Sequence, residues 1–221
     1  MKSVDKDRAR RAMAEFLSAL GLEGPELAST PARVTDAYAD ELLSGYGVDL
    51  AELIVQGSEP VLVPHDPILI DQLHVATVCP HHLLVAQGKA LVAYIPGARI
   101  LGLGAVARLV DACSRRLVFQ EQIASHVADA LMDHLGARGA FCRIQLNHAC
   151  LGARGAQQTQ AQVTTWAGRG DLKDPALLEM VLGRFLVEPD DVFAQAAGTD
   201  EEDNDVSRVH HFPPDQDPPP A

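Results

Sequence analysis

The 221-residue chain contains no apolar run approaching the roughly 20 residues needed to cross a bilayer, although 47% of it is hydrophobic. Its apolar residues are expected to form a soluble core, with no membrane partner. The N-terminus, MKSVDKDRARR, lacks the apolar segment and small-residue cleavage site of a secretory signal, which predicts a cytoplasmic protein. In a reducing compartment the four cysteines, Cys79, Cys113, Cys142 and Cys150, are more readily free or metal-bound than paired. Internal repeats and long heptad patterns are also missing, so no coiled coil is expected. Basic residues are scarce: 18 Lys and Arg stand against 30 Asp and Glu, a formal charge of -12 that disfavours a nucleic-acid partner. About half of that excess sits in Gly198–Ala221, where seven acids face Arg208 alone. The remaining body could still hold an anionic nucleotide with a local group of arginines, because binding follows the field in the cleft.

What is present fits one domain of ordinary size with appendages. Residues 5–20 place Ala12, Phe16, Leu17 and Leu20 at helical spacing before Gly21. Ser29-Thr30-Pro31 predicts the capped start of a second helix running to about Ser44. PILIDQLHVATV (67–78) and LVAYIP (91–96) read as a strand pair joined as a hairpin. Between 104 and 136 two helical stripes follow, Val106, Leu109, Val110 and Cys113, then Ile123, Val127, Leu131 and Leu135, closed by Gly136. Strands are expected near 139–150 and 158–166, and a short helix over 175–187. The fold class is α+β, in the order β-β-α-α-β-β after N-terminal helices. The expected organisation is a helical region over 1–58, a main domain over 59–190 and a tail over 191–221 whose acidic, proline-rich composition predicts disorder.

Cys79 and His82 stand three residues apart and can converge on one ion from a short loop. In a strand over 139–150, Cys142, Ile144, Leu146, His148 and Cys150 share one face by the two-residue period. Two cysteines and one histidine would supply three ligands and leave a fourth tetrahedral position open, the pattern of a catalytic zinc. The same residues also fit a plainer reading, with buried core thiols and a surface His81-His82 pair.

TPARV, CPHHL, AYIP, RRLVFQEQIA, HAC and CLGARG follow one another in order, and over roughly residues 29–185 they resemble the GTP cyclohydrolase I family. The resemblance implies a zinc ion on Cys79, His82 and Cys150, with His81 and His148 beside it as proton-transfer residues. Opening a purine imidazole ring needs a water nucleophile at C8 near neutral pH, and zinc lowers the pKa of bound water to about 7. Histidines titrate in the right range to move the protons. The resemblance further implies that Glu121, with Gln120 beside it, reads the guanine edge, and that Arg33, Arg108 and Arg154 hold the triphosphate. It also implies GTP as substrate, formate and dihydroneopterin triphosphate as products, the tunnelling fold, and a homo-oligomer, a toroidal decamer in the family.

Several positions depart from the family pattern. Pro80 replaces a glutamate, Gly104-Ala105 stand where the family has Ser-Lys, and Asp36 and Gln157 occupy positions where basic residues are common. The phosphate end is thus depleted while the metal and guanine ends are kept. This leaves three readings: a divergent GTP cyclohydrolase I, a paralogue acting on a purine with fewer phosphates or stopping at the formamidopyrimidine, and a non-enzymatic binding member.

Overall fold

A computed structural model describes residues 4–61 and 66–183. Helix α1 (Lys6–Ala19) opens on Asp5, whose carboxylate accepts the Arg8 N–H, and is followed by α2 (Thr30–Asp36). The predicted helix to Ser44 is broken. After Asp36 it widens into a π-helical turn over Ala37–Leu42 and then tightens into a 3-10 turn over Ser44–Gly47. The Ser29 hydroxyl makes no capping bond. Helix α3 (Leu50–Gly57), capped by Asp49, follows beyond the predicted end of that helix, and β1 (Ser58–Pro60) comes after it.

The main sheet has four antiparallel strands in the order β2-β3-β5-β6, formed by β2 (Ile68–Val78), β3 (Val85–Ile95), β5 (Gly139–His148) and β6 (Val163–Gly170). A short β4 (Arg99–Leu101) pairs with β1 in a separate ribbon. Helices α4 (Leu103–Ser114) and α5 (Gln120–Asp133) come between the two strand pairs, giving the expected β-β-α-α-β-β order. Both predicted helical stripes are buried, as are Cys142, Ile144 and Leu146 on the facing side of β5. In β2 the core-facing residues change parity, from Ile68 and Ile70 to Leu73 and Val75. A one-residue bulge at Asp71-Gln72 makes the change, with Gln72 at φ 59°.

Three strand limits differ from expectation. β3 begins at Val85 and not at 91: its polar Gln87 and Lys89 hide the strand in the sequence, yet pairing with both β2 and β5 extends it. Gly88 is needed there, since a Cβ would lie 2.1 Å from the Gln145 carbonyl oxygen. β6 starts at Val163, later than 158. β5 ends at His148, and Cys150 falls in a helical turn, α6 (Ala149–Gly152), so the strand-face argument that grouped His148 with Cys150 does not hold. A final helix, α7, covers Pro175–Gly183; its predicted continuation to 187 and the acidic tail lie outside the described residues. No helix among the described residues is long and apolar enough to cross a membrane.

Candidate metal centre

Sheet register brings the candidate ligands together. Val78 pairs with Val85 across the β2–β3 hairpin, and Ala86 pairs with His148, so the ends of β2 and β5 share one end of the sheet. Between β2 and β3 the backbone folds back on itself: Leu83 N–H donates to Cys79 O and Cys79 N–H donates to Leu84 O, both at 2.9 Å. Leu83 takes a left-handed conformation (φ 56°), and the Tyr38 hydroxyl donates to its carbonyl, tying the π-helical turn to the loop. Cys79, His82 and Cys150 thereby place their ligand atoms within 4.8 Å of one another. Two sulfurs and one imidazole nitrogen suit a borderline-soft cation, and three protein ligands leave a tetrahedral ion one open position.

Burial and the neighbouring Cys79 thiol push the Cys150 thiol above its ordinary value, while Arg154 works in the other direction. A cation shared between the two sulfurs would relieve that repulsion. Cys113 and Cys142 are of a different kind. They are 1% and 0% exposed, and burial pushes the Cys113 thiol up to about 12 and raises Cys142 further still, leaving both as inert core residues.

His81 is exposed, with Nδ1 3.8 Å from Cys79 Sγ, and its ring packs against Phe119 with centroids 5.2 Å apart. An isolated parallel bridge between Val78 and Leu117 brings the start of α5, with Phe119, Gln120 and Glu121, to this end of the sheet. His148 is half-buried, and its Nε2 lies 2.7 Å from Gln120 Oε1. Burial lowers its pKa, and the Glu121 carboxylate partly offsets this. His148 also lines a cleft of about 470 Å³ with Val85, Gln87, Asn147 and Thr159.

The arginines are less well gathered. Arg154 lies close enough to act on Cys150, but Arg108 lines surface clefts elsewhere, one with His74 and Asp111 and one with Asp49 and Glu52. Arg33 is exposed on α2. Two departures acquire physical reasons. Asp36 receives Arg10 at 3.1 Å and lies 3.3 Å from Lys6, so its charge docks α1 on α2. Ala105 is 2% exposed, and a Cβ on Gly57 would come within 2.5 Å of its own Cβ. Sequence reasoning missed Phe119 and Tyr38; the only signal for Phe119 was its place directly before Gln120.

A mixed helix and antiparallel-sheet body with a Cys-His-Cys group able to bind a metal ion defines the class of protein. The GTP cyclohydrolase I family model matches residues 9–185, and the chain belongs to that family. Relatives named GTP cyclohydrolase 1 include that of Leifsonia xyli subsp. xyli, 38% identical over 182 residues, which are 80% of this chain and 93% of that one. That of Deinococcus radiodurans is 41% identical over 165 residues, 71% of this chain and 72% of that one. That of Streptococcus pneumoniae serotype 19F is 34% identical over 181 residues, 78% of this chain and 97% of that one.

Proposed function

We propose that this chain is a cytoplasmic, zinc-dependent cyclohydrolase that converts GTP and water to formate and 7,8-dihydroneopterin triphosphate. The observation that carries the reading is the convergence of Cys79, His82 and Cys150 within 4.8 Å, beside His81 and near His148. When bound, zinc supplies a water acidic enough to act at C8 near neutral pH.

The chain's own residues supply the rest. Cys79, His82 and Cys150 hold the ion. His148, whose pKa is lowered by partial burial, and His81, on the Phe119 ring, move protons to and from the opening ring and the ribose. Glu121, exposed in the first turn of α5, accepts hydrogen bonds from the guanine edge, a pattern adenine does not offer. Arg154, with Arg33 and Arg108, meets the phosphates as planar paired donors. β2 and β6 form the edges of the four-stranded sheet, and subunits pairing along those edges, as in a tunnelling-fold oligomer of the decameric kind, would cover them and bring arginines from neighbours to each site. In this reading residues 59–190 are the catalytic unit and 1–58 its helical preface.

A second reading is favoured by Ala105 and Asp36. The position of a phosphate-binding lysine is packed against Gly57, and Asp36 is committed to α1. A purine with fewer phosphates, or an arrest at the formamidopyrimidine, would then be the natural chemistry. Zinc-loaded protein incubated with GTP, GMP, guanosine and free purine bases separates the two by formate release and pterin fluorescence. Fluorescent pterin from GTP sinks the second reading, formate without pterin sinks the first, and no turnover of any purine sinks both.

A further inference from the structure

Gln120 is 4% exposed, although it stands beside a site built for a solute. Its carboxamide is fully engaged within the chain. Nε2 donates to the carbonyl oxygens of Ile144 in β5 at 3.1 Å and Val163 in β6 at 2.7 Å. Carbonyl oxygens only accept, so the atom facing them is the amino group and the orientation of the amide is fixed by its partners. The other terminal atom, Oε1, is then the one 2.7 Å from His148 Nε2, and an amide oxygen also only accepts. His148 Nε2 must carry the hydrogen.

We propose that Gln120 is a positioning residue that locks His148 as the Nε2–H tautomer, leaving the Nδ1 lone pair as the reactive nitrogen, and that it does not read the purine. Turning the carboxamide toward a base would strip two backbone carbonyls of their donor and an imidazole N–H of its acceptor at a buried site. The Gln120 main-chain carbonyl also accepts from the Thr165 hydroxyl at 3.5 Å, so the residue ties the start of α5 to both strands that flank it. An imidazole fixed through such a residue keeps its place relative to the whole sheet and to the adjoining Cys150 turn, which is what a group that must meet one atom of a bound ring requires.

The kinetic part of the test rests on the proposed role of His148; the spectroscopic part does not. Full-length, zinc-loaded protein labelled with 15N-histidine is examined by NMR at a pH where the ring is neutral, and the His148 signals are assigned by their loss in His148→Asn. A pyrrole-type Nε2 and a pyridine-type Nδ1 are expected; a pyrrole-type Nδ1 overturns the proposal. In Gln120→Met, similar in length but without the amide, kcat for GTP is expected to fall about ten- to hundredfold with KM little changed and zinc content kept. Gln120→Glu, which retains an acceptor for Nε2–H, should preserve the tautomer and recover part of kcat. A raised KM at unchanged kcat in the Met variant would mean that Gln120 touches the base, and it would sink the idea. Should that variant not fold, the wild-type spectrum alone decides. An Nε2–H signature in a protein that turns over no purine would end the functional reading and leave the tautomer assignment standing.

Discussion

Ala105→Lys restores the side chain that the family carries at this position and asks whether the phosphate end of the site has been closed. Ala105 is 2% exposed at the junction of α3 and α4, where a Cβ on Gly57 would lie 2.5 Å from its Cβ and 3.6 Å from Leu101 Cδ1. The three extra methylenes in such a contact cost about 1–3 kcal/mol through overpacking. An ammonium drawn out of water without a partner adds several more, less whatever the flexible stem recovers by reaching toward solvent. A loss of about 3–5 kcal/mol is therefore expected. With a urea m-value of about 2 kcal/mol/M, the unfolding midpoint falls by about 1.5–2.5 M. Unfolding should be followed at one fixed protein concentration, because subunit association contributes to the apparent stability. An unchanged midpoint together with a lower KM for GTP would refute the reasoning: the lysine would have found both space and a phosphate.

Two further outcomes test other parts of the structure. Cys150→Ala should abolish stoichiometric zinc binding, measured by elemental analysis of dialysed protein, whereas Cys113→Ala and Cys142→Ala should keep it, because those thiols are buried in the core at 1% and 0% exposure. Zinc retained by the Cys150 variant would refute the site. The tie between α1 and α2 should depend on pH at its extremes. Arg10, then Lys6, holds the Asp36 carboxyl below its ordinary value of 3.8, so the contribution of Asp36 is complete above that pH and is lost as pH falls through the lower folded value. Asp40 chiefly, with Asp36, raises Lys6 above its ordinary 10.5, so the Lys6 contribution is complete below that pH and is lost as pH rises through the higher folded value. Between these limits α1 should stay docked; Asp36→Asn at neutral pH should speed amide exchange in α1 alone, more so at low salt, and unchanged exchange would count against the tie.

Much of the body was legible because its pattern is local. The stripes of α4 and α5 and the alternation of Cys142, Ile144 and Leu146 follow directly from helical and strand periods. What failed depended on partners distant in the chain. β3 runs through the polar stretch Gln87–Lys89 because strands on both sides satisfy its backbone, which no single segment reveals. The helix from Thr30 deforms after Asp36, where Tyr38 reaches across to Leu83. Cys150 does lie beside Cys79 and His82, but by another route than strand parity: it arrives on a helical turn, and its nearness to Cys79 comes from sheet register.

By itself the sequence determined the residue types that chemistry needs, two thiols, an imidazole and companion histidines in ordered blocks, together with the α+β order that would carry them. Such features are covalent and local, so they can be read without coordinates. Only the tertiary structure decided which atoms meet. Pairing of β3 with β5 brings Cys150 to Cys79, packing of α5 on two strands saturates Gln120 and so fixes a proton on His148, and the α3–α4 contact closes the space beside Ala105. The physical reason is the same in each case: hydrogen-bond valence and close packing are satisfied between segments far apart in the chain, and the spacing of residues along it does not encode which partners remain free.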